Sequence, residues 1–309
     1  MLSKIIKVVF VVAIVAYLSL WAWSIRWIDN SDELDVFNNN RSLFPIAKMA
    51  WKVTPALNTE KDAERLLKVA SFSVLPRNME NIEYEKFESN LKNSYQLISS
   101  YYNKNKDKLS DEMKNKFALK KLIFINRSFK TIEDGDFETS ITQIESEITK
   151  FPLEEQAAWY NELAFYYGLF DISKYDDTYS AQQIEHANIH NDNLIKTVGK
   201  LNKENKTKDF SVLFLLHTGI KGCLYSYMYQ NTFSNDTLSE MMSISEDYMK
   251  KLNTKLNSSA TARKIFIQYL KNDLNAIAFS QSGGGGKICE KEVNNIIDTL
   301  LKYQNELNF

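Results

Sequence analysis

Apolar positions recur at intervals of three and four along most of the chain, as in Phe87, Leu91, Tyr95, Ile98 and Tyr102. That is the period of a helix buried on one face, and no stretch sustains the two-residue alternation of a half-buried strand. Helices are predicted over residues 59–75, 81–106, 110–134, 136–151, 154–175, 178–202, 210–229, 236–257, 260–280 and 288–307. Local signals punctuate the series. Thr59-Glu60-Lys61-Asp62 and Ser110-Asp111-Glu112 are start signals, a hydroxyl that can accept from a free N–H followed by acids that suit the helix dipole. Pro76 and Pro152 are stops. The pattern predicts an all-α fold: an N-terminal transmembrane helix followed by an α-solenoid-like array of antiparallel helix hairpins.

The first 30 residues differ from the rest. Lys4 and Lys7 precede a run from Val8 to Ile25 that carries no charge. About 18 residues at ~1.5 Å rise approach the ~30 Å hydrocarbon core of a bilayer. Trp21, Trp23 and Trp27 cluster at the far end, where indoles favour the membrane–water boundary. A cleaved signal peptide would need small residues there, and the chain instead has Trp-Ala-Trp-Ser-Ile-Arg-Trp. The expectation is an uncleaved, single-pass signal anchor in a bacterial inner membrane, with the lipid bilayer contacted through Val8 to Ile25. The short basic end belongs in the cytoplasm and the body in the periplasm. Three regions follow: a membrane anchor (1–30), a juxtamembrane segment (31–58) holding Pro45 and Pro55, and a helical repeat-like domain (59–309).

Composition narrows the function classes. The 309 residues include 9 Gly and 4 Pro, too few for the turns of an all-β barrel or sandwich. Lys and Arg total 38 against 39 acids. A nucleic-acid-binding surface normally brings a basic excess, so no nucleic acid is expected as a partner.

One stretch carries a family likeness. Gly135-Asp136-Phe137 is followed by Ile144, Ile148 and Pro152, and then by Trp159, Tyr160, Leu163 and Tyr167. About 50 residues, 121–170, resemble a degenerate tetratricopeptide repeat, in which a Gly and an aromatic close one helix and a Pro ends the next. The resemblance implies helix hairpins with a concave surface for a protein partner. Trp159, Tyr160, Tyr166 and Tyr167 are then the candidate partner-binding residues, because Trp and Tyr are enriched at binding hot spots. The function expected is a membrane-tethered, non-enzymatic scaffold or adaptor that binds another protein in a cell-envelope complex.

Several motifs carry residue types capable of chemistry. Gly283 to Gly286 followed by Lys287 has no Ser or Thr after the Lys, no Gly at 281 and no preceding strand, so it is a loop rather than a phosphate cradle. His217 and Lys221 lie in the apolar stretch 210–229, where a central Lys opposes a second membrane span. Cys223 and Cys289 are an even pair in an exported chain and are either bridged or buried thiols. No catalytic constellation has local motif support, and no cofactor is expected. His186 and His190 share one helical face at a spacing of four. On a polar helix they read first as solvated side chains. The alternative is a metal- or small-molecule-binding protein using that face, with Glu185, Asp176, Asp177 or Asp192 supplying a third ligand.

Overall fold

A computed structural model describes residues 2–31, 42–52, 59–74, 84–128, 132–170, 180–204, 235–270 and 290–303, together with positions 212 and 215. Every regular element among them is helical. We number the α-helices in chain order: α1 Leu2–Asn30, α2 Phe44–Lys52, α3 Thr59–Val74, α4 Tyr84–Asn105, α5 Asp111–Arg127, α6 Gly135–Glu147, α7 Leu153–Phe170, α8 Ser180–Glu204, α9 Asn235–Ser258, α10 Ala260–Leu270 and α11 Glu290–Lys302. Single 3₁₀ turns follow α4, at Lys106–Lys108, and α6, at Ile148–Lys150.

The helix starts follow from side-chain chemistry. At α5, Ser110 Oγ accepts from the Met113 N–H at 3.2 Å, and Glu60 accepts from the Ser110 N–H at 2.6 Å. At α6, Asp134 accepts from the Phe137 N–H at 3.0 Å. Each fills a donor that a helix N-terminus leaves open. Gly135 and Phe137 therefore open α6, whereas the repeat likeness has them close the helix before it.

Two compact units divide the chain, one formed by Met1–Leu75 with Ser94–Phe117, the other by Pro76–Asn93 with Ala118–Phe309. In the first unit, α1 is long and apolar enough to cross a membrane. Its apolar side chains from Ile6 through Leu20 are exposed. Near its C-terminal end it packs on α2 and α3. Ile28, Ala47 and Val69 form a fully buried centre ringed by Trp23, Trp27, Phe44 and Trp51. Trp27 also meets Phe72 edge-on at 6.2 Å. Two of the three tryptophans expected at a membrane boundary thus also hold α2 and α3 in place. Polar contacts add to this. Arg65 grips both carboxylate oxygens of Asp29 at 2.8 Å. The Lys68 ammonium donates to the carbonyls of Ile28, Asp29 and Ser31, the free acceptors at the end of α1.

In the second unit, α7 packs along α8, and α9 packs on α10 and α11. A buried polar knot joins α5 to α7: Arg127 Nη2 lies 3.3 Å from Glu162 Oε1, and Asn126 donates to Glu162 Oε2 at 2.8 Å. At the other end, Thr299 Oγ1 donates to Asn253 Oδ1 at 2.6 Å, and the Arg263 guanidinium lies 3.7 Å over the Tyr303 ring.

Candidate metal centre

Helix α8 carries His186 and His190 one turn apart, so both rings project from one side. Helix α7 presents Tyr160 and Tyr167, two turns apart, to the same place. The Tyr167 ring stacks on His186 at 4.0 Å and on His190 at 5.4 Å. Tyr160 lies 6.0 Å from His190, its ring tilted against the imidazole. The two imidazoles are themselves stacked at 5.2 Å.

The acid that faces them comes from α6. Glu145 Oε1 lies 3.0 Å from His190 Nε2 and 3.9 Å from His186 Nε2. The ligand atoms of Glu145, His186 and His190 all fall within 4.8 Å of one another. Tetrahedral bonds of ~2.0–2.1 Å place adjacent ligand atoms about 3.3 Å apart. The two Glu145–histidine separations bracket that value, and the two histidine ligand atoms lie within 4.8 Å of each other.

The electrostatics favour an ionised carboxylate. Burial pushes the Glu145 carboxyl up, but hydrogen bonds from His190 and Tyr167 and the nearby imidazoles outweigh it, and its pKa falls below the ordinary 4.5. The Tyr167 hydroxyl thus holds the carboxylate while its ring holds the histidines, the outer-shell arrangement that orients metal ligands. His190 Nδ1 is buried and has no hydrogen-bond partner among the described residues. The hydrogen bond from Nε2 to Glu145 and the packing of Tyr160 and Tyr167 together set that ring's orientation.

The structure brings together some of the residues singled out from the sequence and separates others. His190 is buried, which corrects its reading as a solvated side chain, whereas His186 keeps 44% of its side chain exposed. The third ligand differs from those considered: Glu185 and Asp192 are exposed, and Asp176 and Asp177 lie outside the described residues. Trp159 is fully buried, and Tyr160 and Tyr166 are at most 8% exposed, so these three belong to the core of α7. Only Tyr167 of the four candidate docking residues is half-exposed, and it stacks on the histidines. His217, Lys221, Cys223, Cys289 and Gly283 to Gly286 lie outside the described residues.

Glu145 was the residue that sequence reasoning missed. It follows Phe137 and Ile141 at steps of four and precedes Ile148 by three, so it falls on the inward stripe of α6. An acid interrupting a buried stripe was the available signal. No protein-family model, curated protein or solved structure matches this chain.

Proposed function

We propose that this is a membrane-anchored helical protein whose body binds a divalent transition metal of zinc's class through Glu145, His186 and His190. The observation that carries the reading is the convergence of two imidazole nitrogens and one carboxylate, from helices far apart in sequence, within 4.8 Å. Imidazole with carboxylate suits Zn²⁺ and its first-row neighbours, whereas Ca²⁺ and Mg²⁺ prefer all-oxygen shells. Three protein ligands would leave a coordination position open, where zinc would supply an activated water. In this reading Tyr167 fixes the carboxylate and Tyr160 walls the His190 side.

The anchor belongs to the same reading. The uncharged run of α1, with Lys4 and Lys7 before it, supports a cytoplasmic N-terminus and a body on the far side of a bacterial inner membrane. A docking role for the aromatic face of α7 depended on outward-facing rings, and three of the four are buried. The metal reading therefore takes precedence over an adaptor.

The test is zinc titration of the untagged, full-length protein in mild detergent against a chromophoric competitor. Stoichiometric binding is expected, with affinity falling at least about tenfold in His186→Ala, His190→Ala and Glu145→Gln. Absence of binding, or an affinity unchanged in all three variants, would end the proposal.

A further inference from the structure

We infer that α2 is an interfacial helix, with Pro45, Ile46 and Met49 seated in the lipid of the bilayer that α1 crosses; the inference rests on the anchoring role given to α1. Three observations within one compact unit support it. The first is depth. Helix α2 packs against α1 around Trp23, Trp27 and Ile28. That level spans about 7.5 Å at ~1.5 Å per residue and straddles Ile25, the end of the uncharged run. Membrane-surface helices lie about 5–10 Å into the boundary between headgroups and acyl chains, the zone in which an uncharged spanning run ends.

The second is the exposed face. Ala47 and Ala50 turn inward, with Phe44 and Trp51 half-buried beside them. The opposite side shows Pro45, Ile46 at 42% exposure and Met49 at 62%. These three positions are spaced as one helical face, and none is charged. Ile46 and Met49 thus give α2 an outward apolar patch beside its inward one. The third is the fate of Lys48, the mid-helix one of the two lysines of α2, the other being Lys52 at its C-terminal end. Lys48 turns back, donating to Ser73 Oγ at 2.8 Å and lying 5.7 Å from the Phe44 ring centroid. Its ammonium is thereby taken off the outward face. Lipid is the occupant that fits, because the same unit's exposed apolar surface on α1 leads up to this level.

The experiment places a dansyl amino acid at position 46 or 49 of the full chain, and at position 11 as the anchor reference. The protein is reconstituted in vesicles of phosphatidylethanolamine and phosphatidylglycerol. Two quenchers are compared: aqueous iodide, and lipid bearing a doxyl group near the headgroup end of its acyl chain. The expected result is severalfold stronger quenching by doxyl lipid than by iodide at 46 and 49, with position 11 also shielded from iodide. Iodide quenching at 46 and 49, with position 11 still shielded, would overturn the interfacial helix and leave the anchor standing. Shielding from both quenchers would mean that protein, such as a second copy of this chain, covers the face, and would also overturn it. Iodide quenching at position 11 would overturn the anchor and the inference together.

Discussion

The ion pair between Arg127 and Glu162 sets up a sharp test of how the second unit is held together. Both side chains are nearly sealed, at 4% and 2% exposure. Glu162 accepts from Arg127 Nη2 at 3.3 Å, Asn126 Nδ2 at 2.8 Å and Asn161 Nδ2 at 3.3 Å. Glu162→Gln keeps the shape of the side chain but removes the countercharge of a buried guanidinium. Breaking one side of such a pair costs ~3–5 kcal/mol. Arg127 has further interactions that soften the loss, so about 3 kcal/mol is expected. Arg127→Met leaves the carboxylate with its amide donors and is expected to cost less, about 2 kcal/mol. At ~2–4 °C per kcal/mol, Glu162→Gln lowers the melting temperature by roughly 6–12 °C. Combining the two substitutions removes both charges, and the double variant should be more stable than the sum of the singles by at least about 1.5 kcal/mol. The assay is far-ultraviolet circular dichroism of the full-length protein in mild detergent, melted thermally and in urea. Singles within about 0.5 kcal/mol of the parent, or strict additivity in the double variant, would refute the view that this pair locks α5 to α7.

Two further outcomes follow from the geometry. Arg65→Met removes the two-pronged grip on Asp29, whose side chain is 43% exposed; solvent limits the loss to about 1 kcal/mol, read as roughly fivefold faster amide hydrogen exchange in α3. Glu145 titrates below its ordinary 4.5, so its interactions stabilise the fold above that pH and are lost as pH falls through the lower folded value; the stability gap between the metal-free parent and Glu145→Gln should shrink on acidification below about pH 4.5, and a gap that is constant from neutral to acid pH would contradict the assignment.

Much of the fold was written in local chemistry. The start of α3 at Thr59, the cap of α5 at Ser110 and the stop at Pro152 each depend on residues adjacent in sequence, and each appears where that chemistry places it. The long apolar helix at the N-terminus is legible for the same reason: an uncharged run is a one-dimensional property. The candidate site was only half legible. The spacing of His186 and His190 is local, but their burial depends on α7, and their acid comes from α6, more than forty residues earlier. Periodicity says which face of a helix turns inward; it does not say which inward faces meet. The aromatics of α7 show the limit from the other side. Trp159 and Tyr166 look alike in sequence whether they line a groove or fill a core, and only packing separates the two.

The central claim is that Glu145, His186 and His190 form one metal shell. X-ray absorption at the zinc edge of the zinc-loaded, full-length protein tests it most directly. The account predicts a first shell of nitrogen and oxygen only, at ~2.0–2.1 Å, with the outer-shell scattering of two imidazoles. That scattering should disappear in the His186→Ala, His190→Ala double variant. A sulfur shell at ~2.3 Å, which would point to Cys223 or Cys289, or a spectrum unchanged in the double variant, would contradict it.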